Sequence, residues 1–560
     1  MPTAVAPAHP HTQLAPSLWY KDAVIYQVHV KSFCDSNDDG YGDLQGLISK
    51  LDYIQRLGVT AIWVMPFFAS PLQDDGYDIA DYYAVNPNYG TVDDVRELVE
   101  EAHKRGLKII MEMVLNHTSD QHPWFQRALK APEGSSERDF YVWSDDKDKY
   151  KGVRIIFLDY EESNWTWNPD VERYYWHRFF HHQPDLNFEN PDVVAEVYKV
   201  IDFWAGMGVD GFRLDAIPYL FEEEGTTCEN LQPTHDFLKG LRRHVDEKYN
   251  GEICLLAEAN MWPAESAKYF GDGDECHMNY HFPLMPRLYM GVAKEDRTDI
   301  VNILERTPEI PANCQWATFL RNHDELTLEM VTDEERNWMW NHYCYVPEAK
   351  INQGIRLRLA RLMDGSRRKQ QLMNTMLFTM PGTPVVYYGD EIGMGDNVFL
   401  HDRDGVRTPM QWAPETNAGF SHANPQRLYL PTIIDPEFHY ETINVQVQEK
   451  RSRSMLHWMR RLIQVRRQYK CLGRGTLTML EPGEMSVLAY LREYEGETLL
   501  CVFNLGSSAV STGLLLGERF DGYRTREIFG GARFPDVHGQ YFLTLSSWGS
   551  YLLELYEHRG

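Results

Sequence analysis

The sequence predicts an α/β protein: a (β/α)8 TIM barrel of parallel strands with inserted subdomains and a C-terminal antiparallel β-sandwich. Short apolar runs recur eight times, each followed by a loop and an amphipathic helix, which is the pattern of a parallel barrel. Two connecting segments are too long to be simple loops, and the last part of the chain changes to alternating strands with glycine turns. The apolar runs cover residues 24–30, 61–65, 108–114, 211–215, 254–258, 276–280, 317–320 and 384–389.

The segment between the second and third runs is a predicted helix with recognisable ends. Thr91 and Asp94 have the spacing of a variant capping box, and Gly106 supplies a stop signal. Between these signals, one face carries apolar residues at helical spacing: Val95, Leu98, Val99 and Ala102. Strand and helix alternating in this way predict a barrel whose functional groups lie at the C-terminal ends of the strands.

The predicted domains follow from these patterns. Both long insertions come after barrel strands, the third and the seventh, so they are expected to overhang the mouth of the barrel. The predicted parts are a flexible N-terminal segment (1–18), the first part of the barrel (19–116), an inserted subdomain (117–190), the second part of the barrel (191–472) with a lid at about 326–370, and a C-terminal β-sandwich (473–560).

Charge and cysteine usage restrict the class of partner and the compartment. The chain has 55 Lys and Arg against 82 Asp and Glu, a net charge of −27, which argues against binding nucleic acid or an anionic membrane. No apolar run approaches the ~18 residues of a membrane span. The eight cysteines show neither a CxxC pair nor a zinc-like spacing. We therefore expect free thiols in a cytoplasmic protein.

Acidic residues stand at the ends of three predicted strands. In the fourth, Arg213 and Asp215 alternate with apolar residues and share one face. The guanidinium is expected to lower the pKa of Asp215 and keep it ionised, as a nucleophile requires, although a structural ion pair explains the pattern equally well. The fifth run ends in Glu258 and the seventh leads to Asp324. Three carboxyls at one barrel mouth fit the cleavage of glycosidic bonds.

These segments resemble the conserved regions of the α-amylase superfamily of retaining glycosidases and transglycosidases, glycoside hydrolase family 13. The resemblance implies that Asp215 is the nucleophile, Glu258 the general acid and base, and Asp324 the stabiliser of the transition state. It also implies sugar contacts in the first subsite from Arg213, His117 and His323. The strings that match, in family order, are 112–117, 183–187, 211–215, 256–259 and 322–324.

Glu112 departs from the family pattern, which usually has Asp at this position. By resemblance, the acid braces Arg213 and does not touch the substrate. The longer side chain is therefore expected to alter the bracing geometry more than the reaction.

Two further strings resemble the exo-acting branch of this family. In 71–78, Asp74 is expected to close the non-reducing end of the pocket and Tyr77 to stack beneath the sugar. In 403–412, one arginine, Arg403 in preference to Arg407, is expected to reach the same sugar. The simpler alternative is that Tyr77 packs at the rim and that the arginines form surface ion pairs. A closed pocket implies a small substrate.

A metal loop is predicted at 35–43, where oxygen-bearing side chains alternate around a glycine turn. It is not an EF-hand, and a plain turn of Asn and Asp residues is the alternative. The resemblance implies five ligands there: Asp35, Asn37, Asp39, the Tyr41 carbonyl and Asp43. It implies a second set as well: Asn116, Asp185, Glu222 and the carbonyls of Tyr219 and Leu220. Both ions are expected to be structural Ca²⁺, or Mg²⁺ at one site, and no organic cofactor is expected.

The residue after Asp215 bears on the substrate. Family members that cleave α-1,6 bonds usually have Val there, whereas this chain has Ala216, which favours α-1,4 substrates such as maltose. The strings 180–191, 214–220 and 322–326 are most similar to the branch that interconverts maltose and trehalose. An exo-acting α-1,4-glucosidase with the same machinery is the first alternative. A catalytically silent binding relative is the second, but it is expected to have a membrane span and eroded carboxyls.

Transfer of glucose within the pocket requires that water be kept out. Because water is present at ~55 M, the site must hold the released glucose at an effective molarity of about 10⁵ M. The candidates for this closure are Arg154, Tyr219, Glu325 and Glu329, with Arg154 predicted to pair with one of the two glutamates. Ordinary surface charges are the alternative. A homo-oligomer is compatible with the sequence.

Overall fold

The computed structural model describes residues 17–557, and its centre is a closed barrel of eight parallel strands. Each predicted apolar run contains or overlaps one strand, so the predicted fold class is confirmed. The predicted flexible segment lies outside the described residues except for residues 17 and 18. The barrel strands are β1 (Ile25–Val28), β2 (Ala61–Val64), β3 (Lys108–Val114), β4 (Gly211–Asp215), β5 (Cys254–Ala257), β6 (Met278–Tyr280), β7 (Gln315–Phe319) and β8 (Thr383–Tyr387).

The register of neighbouring strands brings charged side chains together at one end of the barrel. In the β3–β4 pair, Glu112 lies opposite Arg213. In the β4–β5 pair, Ala257 lies opposite Leu214. Glu258, which follows Ala257, is therefore level with Asp215, the last residue of β4. Parallel strands in this register leave their C-terminal side chains around one mouth.

Helices follow the barrel strands and cover them with apolar faces. The helix Val92–Lys104 begins with the predicted capping box of Thr91 and Asp94, and its predicted apolar stripe is buried. Gly106, two residues beyond its end, has a positive φ of 72°, a backbone conformation that glycine adopts without strain. The other long helices between and after the barrel strands are Leu51–Leu57, Pro191–Ala205, Gln232–Tyr249, Leu284–Lys294, Thr298–Glu305, Arg367–Thr379 and Met455–Gln468.

Two insertions interrupt this alternation. The first, between β3 and β4, contains the helix Pro123–Lys130 and a three-stranded antiparallel sheet of Trp143–Ser144, Arg173–Trp176 and Trp165–Asn168. The second, between β7 and β8, contains the helix Asp333–Tyr343 and a small sheet of Leu326–Thr327, Gly354–Ile355 and Lys350–Ile351. The second insertion ends before the barrel helix that starts at Arg367.

The C-terminal part is antiparallel and consists of two sheets. Residues of both sheets, among them Val502 and Leu543, share one buried apolar cluster. Together the sheets form the predicted sandwich. The larger sheet has the order Thr476–Met479, Val487–Tyr494, Glu497–Asn504, Ser550–Tyr556, Arg524–Glu527, Arg533–Phe534, and the smaller one pairs Val510–Leu515 with Gln540–Leu545.

Two further observations concern the cysteines and the helices. All eight cysteines are free thiols, and all but Cys344 are buried. Among residues 17–557, no helix is both long enough and apolar enough to cross a membrane.

Candidate active site

Arg213 joins three carboxyls: one within β3, one at the end of β4 and one directly after β5. Its side chain is 1% exposed, and its Nη1 atom contacts both Asp215 and the Oε1 atom of Glu112, the latter at 2.5 Å. Its Nη2 atom lies 2.5 Å from the Oε1 atom of Glu258. A single guanidinium therefore fixes the proposed nucleophile and the proposed acid relative to each other.

Glu112 is accommodated by a partner that the sequence did not indicate. The indole N–H of Trp63 donates to its Oε2 atom at 2.7 Å, and the guanidinium of Arg213 lies over the same indole ring, 5.3 Å from its centroid. Burial raises the pKa of Glu112 to about 7, although Arg213 opposes this shift. Glu112 thus braces Arg213 from β3 while Trp63 holds its second oxygen.

Asp215 and Glu258 differ in the pKa of their carboxyl groups. Burial raises the pKa of Asp215 to about 6, and Arg213 lowers it as the sequence predicts but by less, because loss of water outweighs the nearby charge. Burial also raises the pKa of Glu258 to about 8, with Arg213 opposing and Asp215 adding to the shift. Near pH 7, Asp215 is mostly ionised and Glu258 mostly protonated.

The spacing of this pair suits a retaining mechanism. Asp215 accepts a side-chain hydrogen bond from Glu258, and both contact Arg213. The backbone N–H of Ala216 also donates to Glu258 at 3.1 Å. Since one guanidinium contacts both carboxyls, the pair is close together, as in retaining enzymes, whereas the acids of inverting enzymes stand ~6.5–9.5 Å apart.

Asp324 is held in its ionised form by the arginines beside it, with a histidine also in contact. Arg403 and Arg407 contact its Oδ1 atom at 2.8 Å and 3.2 Å, and the Nε2 atom of His323 lies 3.2 Å from its Oδ2 atom. Burial alone would raise the pKa of Asp324, but His323 and the two arginines lower it below its usual range. A fixed negative charge therefore faces the carboxyl pair.

Asp74 lines the pocket, and two side chains hold its carboxylate. Its carboxylate contacts Arg403 at 3.0 Å and accepts from Gln183 at 2.9 Å. Beside it, the hydroxyl of Tyr77 lies 2.7 Å from the Nε2 atom of His323, and the two rings stack. Burial raises the pKa of Asp74 to about 7 against the influence of Arg403.

The space in front of these groups, including its opening to solvent, measures about 850 Å³. Of the two predicted arginines, Arg403 lines this space, whereas Arg407 lies behind it and contacts Asp75 at 2.9 Å. Arg213 likewise lies beneath the floor. The predicted site residues that line the pocket are Asp74, Tyr77, His117, Asp215, Tyr219, Glu258, His323, Asp324, Glu325, Glu329 and Arg403.

Sequence reasoning missed several residues of the wall. Asn260 lies two positions after Glu258, so strand alternation was a signal for it. Phe157 and Phe179 come from the first insertion, where no periodic pattern pointed to the pocket, and Phe282 follows β6. The missed wall residues include Ile156, Phe157, Phe179, Asn260, Phe282 and Thr327.

Arg154 connects the first insertion to two other parts of the pocket rim. Its Nη1 atom contacts Glu329 of the second insertion at 3.0 Å, and its Nη2 atom donates to the Tyr219 hydroxyl at 3.0 Å. The pairing is thus with Glu329, and no contact joins Arg154 to Glu325 among the contacts of the described chain. A third contact, from Nε to Glu229 at 2.8 Å, was not anticipated.

The second predicted ligand set contains unpaired buried oxygens. Asn116 Oδ1, Asp185 Oδ2 and Glu222 Oε1 are buried and lack a hydrogen-bond partner within residues 17–557. Burial raises the pKa of Asp185 to about 8, and burial together with Asp185 raises that of Glu222. Oxygen donors that repel each other in this way suit a hard cation such as Ca²⁺.

The first loop has a different arrangement. The carboxylate of Asp35 accepts backbone N–H groups from Asn37 and Gly40, and that of Asp43 accepts one from Gly46. In the described part of the chain, no three His, Cys, Asp or Glu side chains gather as metal ligands. A site here would depend on the Asn37 amide and the Tyr41 carbonyl as well, and an ion in this loop stays a prediction.

Comparison with known proteins places the chain in a well-populated group. The α-amylase catalytic domain model matches residues 27–346 and 356–475, and the maltogenic amylase C-terminal domain model matches residues 477–552. A trehalose synthase of Thermus thermophilus is 54% identical over 96% of this chain and 56% of its own length. The trehalose synthase/amylase TreS of Mycobacterium tuberculosis (strain ATCC 25618 / H37Rv) is 52% identical over 96% of this chain and 91% of its own.

Solved structures give a consistent result. The α-glucosyl transfer enzyme XgtA superposes with a TM-score of 0.78 at 28% identity, covering 97% of this chain and 100% of that one. The isomaltulose synthase of Klebsiella sp. LX3 superposes with a TM-score of 0.76 at 26% identity, covering 96% and 99%. This chain therefore spans the full length of the structures it resembles, but only about half of the Thermus protein.

Proposed function

The chain belongs to the α-amylase family, and from that premise we propose that it is an intramolecular transglucosylase that interconverts maltose and trehalose. The observation that carries the proposal is the pair Asp215 and Glu258 on one guanidinium, in a pocket whose rim is joined across by Arg154. The relatives named trehalose synthase, at 51–54% identity over 96% of this chain, support the choice of substrate.

The first step forms a covalent glucosyl-enzyme. An ionised Asp215 attacks the anomeric carbon of the non-reducing glucose of maltose. The bond from this carbon to the bridging oxygen breaks, and the oxygen takes the electron pair together with the proton of Glu258. Glucose is released inside the pocket, and Glu258 is left as a carboxylate. The ionised Asp324 stabilises the positive charge that develops on the sugar.

The second step reverses these roles. The released glucose turns so that the oxygen of its anomeric hydroxyl attacks the carbon bound to Asp215. The bond to Asp215 breaks and returns its electron pair to the carboxylate, while the hydroxyl proton passes to Glu258. The product is the α,α-1,1 linkage of trehalose. No other reactant is consumed, and water that enters instead produces glucose as a by-product.

Exclusion of water is therefore the property that separates this activity from hydrolysis. Arg154 is the candidate gate residue, since it links the first insertion to Glu329 in the second insertion and to Tyr219 in the segment that follows β4. The aromatic side chains of Phe157 and Phe179 line the same side of the pocket. We assign to this group the retention of glucose between the two steps.

Incubation of the purified protein with maltose tests the proposal. Chromatography is expected to show trehalose as the main product, with a smaller amount of glucose, and incubation with trehalose is expected to return maltose. Glucose alone, with no trehalose at any time, would mean an exo-acting α-1,4-glucosidase with the same catalytic groups. Absence of any turnover would favour a silent binding relative.

We also propose a structural Ca²⁺ held by Asn116, Asp185, Glu222 and the carbonyls of Tyr219 and Leu220. The three unpaired side-chain oxygens support this site, and its place between the first insertion and β4 suggests that the ion steadies the rim. A second ion, Ca²⁺ or Mg²⁺, is proposed for the loop at 35–43. Neither site includes a proposed catalytic group, and the mechanism uses no organic cofactor.

The cellular setting is proposed from charge and cysteine chemistry. Free, mostly buried thiols support a cytoplasmic location. A net charge of −27 supports a neutral disaccharide as ligand, with neither nucleic acid nor an anionic membrane as partner. Assembly into a homo-oligomer is compatible with this setting, and gel filtration with light scattering measures it directly.

A further inference from the structure

A second cavity lies where two of the long helices begin. The helices are Arg367–Thr379, capped by Ser366, and Met455–Gln468, capped by Ser454. The Nη2 atom of Arg367 donates to the backbone carbonyl of Ser454 at 3.1 Å, which holds the two helix starts against each other. The cavity measures about 1010 Å³ including its opening to solvent, and within the described chain it shares no lining residue with the catalytic pocket.

Three arginines, Arg367, Arg451 and Arg453, line this cavity, which we call the arginine cavity. None of their guanidiniums has a carboxylate partner among residues 17–557, although the chain carries 82 acidic residues. Two positions further along the first helix, Lys369 does pair with Asp364, at 2.7 Å. The missing carboxylate partners are therefore a feature of the cavity and not of this surface as a whole.

The arginine cavity is positively charged on a strongly acidic protein. Its one acidic lining residue in the described chain is Glu437, which lies 4.0 Å from Arg361 outside the cavity. Three guanidiniums and one carboxylate leave a net charge of about +2, and the partial positive charges of two helix N-termini add to it. Burial and the charge of nearby Arg461 lower the pKa of Arg367. A cavity of this sign attracts an anion.

Inside the arginine cavity, the side-chain amide of Gln370 has no hydrogen-bond partner among residues 17–557. Gln370 is only 5% exposed. Its amide oxygen lies beside Gly393, where an added Cβ atom would be 3.0 Å away, and both residues line the cavity. A buried amide without a partner is unfavourable. Since an amide both donates and accepts, a ligand with a polar edge would satisfy it.

Much of the remaining wall is apolar and suits a flat organic group. A sugar ring would leave its hydroxyls unpaired against such a wall, which is unfavourable, whereas a flat group with one polar edge would not. Guanidiniums, in turn, match the geometry of a phosphate group through paired N–H donors. The apolar wall residues are Ile392, Phe438, Ile443 and Met455.

We propose that the arginine cavity binds a small phosphomonoester with a flat, polar-edged organic part, of the class of the nucleoside monophosphates. Arg451 and Arg453 are exposed, so they and Arg367 hold the phosphate at the mouth of the cavity. Gln370 hydrogen-bonds the edge of the organic part inside. A phosphate dianion balances the net charge of the lining side chains. This site is separate from the glucosyl pocket and does not depend on the proposed function.

Isothermal titration calorimetry with adenosine 5′-monophosphate tests the proposal, in parallel with inorganic phosphate and with adenosine. One site per chain is expected, with the monophosphate bound at least about tenfold more tightly than either fragment, because one molecule then engages both halves of the site. The proposal is overturned if the monophosphate shows no binding at about 1 mM, or if inorganic phosphate binds equally well.

Three variants locate the site. R451A/R453A removes two exposed guanidiniums and is expected to weaken binding of the monophosphate at least about tenfold. Q370L keeps the side-chain volume but loses the amide, so it is expected to weaken this binding about fivefold and to leave binding of inorganic phosphate unchanged. Because the amide has no partner to lose, Q370L is also expected to keep the wild-type Tm without ligand, which a merely structural role would not allow.

The matched control is R467A, which removes an exposed arginine in the last turn of the helix Met455–Gln468, at the end away from the cavity. Its affinity for the monophosphate is expected to stay within about twofold of wild type. If R467A weakens binding as much as R451A/R453A does, general surface charge explains the binding and the proposal fails. Wild-type affinity in either R451A/R453A or Q370L also refutes it.

Discussion

Loss of the Arg154 side chain is predicted to convert much of the transfer activity into hydrolysis. The side chain makes three polar contacts at the rim, to Glu329, Glu229 and Tyr219, at 2.8–3.0 Å. Only the contact with Glu329 reaches the second insertion. The substitution Arg154→Ala removes all three contacts, whereas Glu329→Gln weakens only the one that bridges the insertions.

The size of the effect follows from exposure. The Arg154 side chain is 36% exposed and those of Glu329 and Glu229 are 19% and 16% exposed, so solvent screens these contacts. At about 0.5 kcal/mol for each contact, Arg154→Ala is expected to weaken closure by about 1–2 kcal/mol, which raises the hydrolysis-to-isomerisation ratio by about 5–30-fold. Glu329→Gln is expected to raise it about twofold.

The assay is chromatography of trehalose and glucose formed from maltose, read as a ratio at low conversion. Arg173→Ala is the matched control, since Arg173 also lies in the first insertion and pairs with Glu133 at 2.6 Å but does not line the pocket. Its ratio is expected to equal that of wild type. If Arg154→Ala and Glu329→Gln both leave the ratio unchanged, these contacts do not keep water out and the reasoning fails.

Three further predictions follow from the buried acids. Asp215→Asn is expected to lower turnover at least about 10⁴-fold. It is expected to leave Tm unchanged, because burial disfavours the negative charge that the substitution removes; a large loss of Tm would contradict this. The pH profile of kcat/KM for maltose is expected to rise through about pH 6 and fall through about pH 8, as Asp215 ionises and Glu258 loses its proton; a flat profile from pH 5 to 9 would refute the assignment. Chelation of the proposed Ca²⁺ is expected to lower Tm by about 5 °C, and by more at pH 8 than at pH 6. Without an ion, the folded chain keeps Asp185 protonated up to its raised pKa of about 8, whereas the unfolded chain ionises it near pH 4. Rising pH therefore destabilises the ion-free folded chain. Asp185→Asn should reduce this pH dependence, leaving the part due to the buried Glu222, and an equal effect of chelation on the wild type at both pH values would count against the site.

The fold and the positions of the reacting acids could be predicted from the sequence because both depend on local patterns. Strand alternation and strand length are properties of short segments, and they are enough to place Asp215 and Glu258 at the ends of successive strands. The capping box at Thr91 and Asp94 is another local signal that the structure reproduces. The role of Asp324 is implied by the resemblance of its sequence segment to the family.

The rest depended on distances between segments far apart in the chain. The pKa of Asp215 is the sum of lost hydration and all surrounding charges, and the sequence displayed only one of those charges, that of Arg213. The contact between Arg154 and Glu229 joins two loops with no shared periodicity. In the same way, the sequence does not distinguish Glu325 from Glu329. In the structure, Glu325 packs against Gly354, whereas Glu329 pairs with Arg154.

The sequence by itself thus determined the barrel, the order of its strands and the chemistry at their ends, because side-chain alternation is set within a few residues. Only the tertiary structure decided which acids stay protonated, which are held ionised and which remain unpaired in the pocket wall. The physical reason is that hydration and Coulomb energies depend on every neighbour in space, and those neighbours are brought together only when the insertions fold over the barrel mouth.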